Sequence, residues 1–128
     1  MRIHVTTTET GAPWSLSLDQ FAQHLAAHWS DALIAVDAEN AQPQVQFELT
    51  LGEEQAEGIY FTGEWQQLIC WDGTIDDWAQ IIEWFLGLLP LNADADIFLE
   101  AVARPQQLPR LARAADIARI LTELDDSI

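Results

Sequence analysis

The chain of 128 residues contains no lysine, and between Arg2 and Arg104 it contains no arginine either. A chain without lysine can use neither a P-loop lysine nor a Schiff base, and phosphate-cradling glycine loops are also missing. No basic stripe is available to follow a nucleic-acid backbone. The single Cys70 excludes an internal disulfide and gives no sign of an oxidising compartment. The longest apolar run, Trp84 to Leu91, is interrupted by Pro90 and falls well short of the roughly 20 residues that span a membrane. Met1 to Val5 runs into Thr6, Thr7 and Thr8 without the apolar stretch of a secretory signal, so a cytoplasmic location is expected.

What fills the space is acid. Seventeen Asp and Glu lie between Arg2 and Arg104, and the totals of 21 acidic and 5 basic residues give a net charge of −16. That magnitude exceeds the 2–8 or so that suits a small soluble domain. A field of this sign repels phosphate backbones and anionic headgroups and speeds encounter with basic partners. Disorder does not follow, because 49% of the residues are hydrophobic and six are Trp, enough to offset the entropy of ordering one domain over residues 1–128.

Ile3 and Val5 alternate with polar neighbours as a first strand ending near Thr8. Ser17 with Gln20 three residues on is a capping-box pattern, Leu16 and Phe21 occupy staple positions, and a first helix is expected from Leu18. Leu33 to Val36 fits a second strand, and Val45, Phe47, Leu49 and Leu51 alternate with polar residues as a third. Gly58 to Thr62 reads as its returning partner and Gln67 to Trp71 as the next strand of a meander. Thr74 is placed to cap a second helix ending at Pro90, with Asp76 and Asp77 in its first turn. Asp96 to Val102 is a further strand, Pro105 to Pro109 a loop, and Ile117, Ile120, Leu121 and Leu124 mark a last helix. The expected class is α+β, with two or three helices on one face of a mostly antiparallel sheet of about five to six strands, in the order β-α-β-β-β-β-α-β-α.

The candidates for chemistry are weak. His24 and His28 stand four apart on the first helix with Asp31 one turn further on, but no Glu follows His24 as in a zinc-protease motif, and boundary histidines are the better reading. Cys70 lies inside the apolar run Leu68 to Trp71, which suits burial rather than nucleophilic attack. Asn92, Asp94 and Asp96 imitate the opening of a calcium loop, but Ile97 stands where the sharp turn needs Gly and Ala103 where the last ligand should be Glu. Adjacent carboxylates such as Glu53 with Glu54, or Asp76 with Asp77, do not face one another on a helix as an acid/base pair would need. No catalytic residue, cofactor or metal is expected.

The tryptophans divide into two groups. Trp29 and Trp78 project onto the apolar stripes of their helices, whereas Trp84 lies roughly 140° from the stripe centred on Ile75, Trp78, Ile82, Phe85 and Leu89. Either another element covers this second face, or Trp84 with Ile81, Leu88 and Asp77 forms an exposed aromatic patch rimmed by acid, the anatomy of a binding hot spot. Trp65, beside a turn, is a second possible anchor, and Glu53, Glu54 and Glu57 make an acidic turn. Arg110 and Arg113 are expected to lie across the acidic body in intramolecular pairs, and Arg119 to pair with Glu123.

The leading expectation is a small acidic protein-binding module that neutralises a basic, nucleic-acid-acting protein partner through charge complementarity, using Glu53, Glu54, Glu57, Trp65, Asp77, Ile81, Trp84 and Leu88. In size, acidity and aromatic content the chain resembles immunity and antitoxin proteins in character, without a shared motif; such proteins place carboxylates where a nucleic-acid backbone would lie. Two other readings stand beside it. One is a ligand-binding or enzymatic domain whose pocket between sheet and helices uses His4, His24 or His28; the other is an acidic surface adapted to a salty cell.

Overall fold

The computed structural model describes residues 2–8, 12–63 and 66–126, with the backbone alone at 102 and 103. The elements in chain order are β1 (Ile3–Thr7), α1 (Leu18–His28), β2 (Leu33–Asp37), β3 (Gln44–Leu51), β4 (Glu54–Phe61), β5 (Gln67–Trp71), α2 (Ile75–Leu88), β6 (Ala95–Leu99), β7 (Val102–Leu108) and α3 (Ala114–Asp126). Both expected helix starts are closed by reciprocal capping boxes. Ser17 Oγ accepts from the Gln20 amide while Gln20 Oε1 accepts from Ser17 N–H, and Thr74 and Asp77 do the same for α2.

The seven strands form one antiparallel sheet in the order β2-β3-β4-β5-β1-β6-β7. The first strand thus ends up between β5 and β6. Because both neighbours run antiparallel to β1, they run parallel to each other, and α2 is the crossover between them; β1, α1 and β2 form a second such unit. These crossovers start from strands of opposite direction and move in opposite lateral directions, so a common right-handed preference carries both helices to the same face. One α+β layer pair results, with the helices of the described residues on one side.

On that side Ile3, Val5, Val45, Leu49, Tyr60, Leu68, Cys70 and Ile97 have no exposed surface, and they join buried residues of all three helices in a single core. Phe21 of α1 stacks on Tyr60 at 4.6 Å and meets Phe85 of α2 edge-on at 6.1 Å. The Tyr60 hydroxyl donates to Leu16 O at 2.7 Å, and Trp14, fully enclosed, donates from Nε1 to Asp94 O at 3.1 Å, which ties the loop before α1 to the loop before β6. Gly58 leaves room for the Phe47 ring directly across the β3–β4 pair, a space that any Cβ would fill.

Three features depart from the sequence reading. The stretch read as a loop at Pro105 lies inside β7, making seven strands and the order β-α-β-β-β-β-α-β-β-α. Proline is tolerated there because β7 is an edge strand, where a missing N–H need break no ladder bond. β4 begins at Glu54 rather than Gly58, since the Gly52–Glu53 turn is tight and the register runs unbroken from Leu51↔Glu54 to Gln44↔Phe61. Arg110 does not reach across to acids. Its guanidinium donates to Leu89 O at 2.6 Å and Pro90 O at 3.2 Å, closing the C-terminal end of α2. Glu83 on α2 in turn accepts from the Ala114 amide at the start of α3, so each helix supplies or receives a cap from its neighbour's connection.

Candidate functional site

The face of the sheet turned away from the helices is built from the other half of each strand's alternation. Strand register arranges it in rows. One row runs Leu33, Glu48, Glu57, Trp71 across β2 to β5. The next runs Ala35, Gln46, Ile59, Ile69, His4, Phe98 and crosses six strands. The third passes from Asp37 and Gln44 through Phe61 and Gln67 to Thr6 and Asp96. Ile59, Phe61, Ile69, Trp71 and Phe98 are half-buried, yet none of them belongs to the core or to the residues packed against it. Among the described residues no helix residue packs on them; what lies against them on this face includes Arg2 over Trp71 and His4 on Phe98.

Polar contacts on this face are few and specific. Trp71 Nε1 donates to Glu57 Oε2 at 2.9 Å, and the Arg2 guanidinium lies 5.2 Å from the centre of the Trp71 ring while its Nε stands 4.0 Å from Glu100. His4 stacks flat on Phe98 at 4.7 Å. Its Nε2 is buried without a hydrogen-bond partner, 3.9 Å from Glu100 and thus beyond hydrogen-bond reach. Burial and, after it, the neighbouring charge of Asp94 push the Asp96 carboxyl above its ordinary value. Between β2 and β4 the face dips into a shallow recess of about 250 Å³, whose lining includes Leu33, Ala35, Gln46, Glu48 and Glu57. Two carboxylates there stand directly opposite across a strand pair.

The residues expected to bind a partner do not form one surface. Glu57 lies on the open face, while Glu54, an odd number of residues away on the same strand, projects to the helical side and Glu53 sits in the turn. Trp65 lies outside the described residues. Asp77 is occupied in the α2 capping box. Ile81 is 0% exposed and cannot contact a partner. The second face of α2 is covered by α1: Trp84 meets Trp29 edge-on at 4.9 Å and Phe21 at 5.8 Å, with His28 at 6.0 Å. The aromatic patch on α2 is therefore chiefly an interhelical seam, in which Trp84 and Leu88 stay half-buried. A helical wheel identifies residues that share a face but not what packs on it.

His24 and His28 are exposed on α1 while His4 is on the opposite side of the sheet, so the three imidazoles share no pocket. Among the described residues no group of three His, Cys, Asp or Glu could hold a metal. Cys70 is fully buried, and burial pushes its thiol far above the ordinary value. A recess of about 500 Å³ near the start of α1 has Asp19 as its one carboxylate and no histidine. Among the described residues no helix is long and apolar enough to cross a membrane.

One sequence signal pointed to the open face. Leu68-Ile69-Cys70-Trp71 and Ile59-Tyr60-Phe61 are apolar at consecutive positions, hence on both faces of their strands. No known family, curated protein or solved structure matches this chain.

Proposed function

We propose that this protein is a non-catalytic binding module that captures a basic protein and neutralises it by charge complementarity, as an immunity or antitoxin protein does with a nucleic-acid-acting toxin. The observation that carries this reading is a charge left open on the surface. The net charge is −16, and the ion pairs found among the described residues engage only Glu100 and Glu123 on the acidic side. Most carboxylates therefore keep their field directed outward, at a cost in self-repulsion that a cationic partner would remove. The proposal includes a cytoplasmic setting, where the free thiol of Cys70 remains reduced.

Co-purification from the native host at low salt, followed by mass spectrometry, tests it. The expected result is a partner of basic isoelectric point whose association slows steeply as salt rises towards physiological strength, with dissociation changing less. Recovery of an acidic or neutral partner with salt-independent association would rule the reading out.

A further inference from the structure

We infer, resting on the reading just given, that the basic partner docks on the open face of the sheet and not on the helices. An antiparallel sheet with one face in water alternates apolar and polar residues, whereas a continuous apolar run such as Leu68 to Trp71 is the pattern of a strand buried on both faces. In β5 Leu68 and Cys70 already lie under the helices, so Ile69 and Trp71, with Ile59 and Phe98, form a second apolar layer on which no described element packs. Strand spacing makes the three rows roughly 25 Å by 20 Å, about 500 Å² before the rim is counted. That approaches the roughly 600 Å² per partner at the lower end of specific interfaces.

Charge selects the occupant. Asp37, Glu48, Glu57 and Asp96 line this face against Arg2 and His4, and Arg2 is already engaged by Trp71 and Glu100. A second copy would bring the same carboxylates against one another, and nucleic acid or an anionic membrane would be repelled. A protein surface with an apolar centre and surrounding Arg or Lys is complementary in both respects. A partner cation entering the recess between Glu48 and Glu57 would also relieve their mutual repulsion, so this pair favours the bound state over the free one.

The probe is a short synthetic peptide with arginines flanking an apolar centre, titrated into the isotopically labelled protein. Amide shifts are expected at Ile59, Ile69, His4 and Phe98 and not along α1, α2 or α3. The double variant Glu48→Gln/Glu57→Gln is expected to weaken binding about tenfold. The double variant Asp125→Asn/Asp126→Asn, which changes net charge equally on the exposed end of α3, is expected to leave affinity nearly unaltered. Ile69→Thr, which keeps a β-branched residue in the strand, is expected to weaken binding without moving the salt dependence. Shifts on the helical side, or equal losses in the two double variants, would overturn the placement while leaving the basic-partner reading standing. No binding at low salt would overturn both. Self-association that protects the open face would place a second copy there and equally end the inference.

Discussion

Glu48 and Glu57 stand directly opposite one another across β3 and β4, and the Glu57 carboxylate is held by a 2.9 Å hydrogen bond from the Trp71 indole. Like charges in opposed register positions weaken a sheet, and the same pair recurs in the recess at the edge of the apolar rows. Such a pair is expected to weaken the free sheet, and on the docking proposed above a partner cation between the two groups would remove that cost.

Glu48→Gln is accordingly expected to stabilise the free protein by about 0.2–1 kcal/mol, with a smaller gain at high salt. Glu57→Gln should gain less, because a neutral amide accepts a weaker bond from Trp71 than a carboxylate does. Urea unfolding at two ionic strengths measures both. A Glu48→Gln variant less stable than the parent would show that the opposed pair is not strained.

Trp84→Ala should behave as a packing lesion. The ring is wedged between Trp29 at 4.9 Å and Phe21 at 5.8 Å, so truncation opens a gap between α1 and α2, and a loss of about 2 kcal/mol or more is expected. Partner affinity per folded molecule should be unchanged, because the ring faces α1 and not the open sheet. Thermal melts combined with titration of the folded fraction separate the two effects, and a binding loss without a stability loss would return Trp84 to the interface.

Asp96 sets a pH dependence whose sign follows from its environment. Its folded pKa is raised above the ordinary 3.8, chiefly by burial and secondarily by Asp94, so the native state binds its proton more tightly than the unfolded chain. The group therefore destabilises the fold at neutral pH, and that penalty disappears as pH falls through the folded value. Asp96→Asn should melt higher than the parent at neutral pH, and the difference should shrink as pH is lowered into the carboxylate range. Melting temperatures of the two proteins from pH 8 to 4 provide the check; a neutral-pH loss in the Asn variant would mean that the charged form is favourably held.

The sequence alone determined the elements whose signals are local. Alternation at Val45, Phe47, Leu49 and Leu51, the Ser17–Gln20 and Thr74 caps and the break at Pro90 depend on neighbours within a few residues, and each appears where expected, as do the α+β class and the burial of Cys70. β7 was hidden because Pro105 argues against a strand until the strand is known to lie at an edge. Burial of Ile81 and the packing of Trp84 against α1 were hidden because helical periodicity carries no information about the opposing element. Only tertiary structure decided the open face. His4 reaches Ile69 and Phe98 because β1 inserts between β5 and β6, joining residues more than sixty positions apart, and that register aligns apolar rows and opposed carboxylates that are scattered along the chain. Local propensity is fixed by adjacent side chains, whereas a surface is assembled by which strands pair and which face the helices leave uncovered.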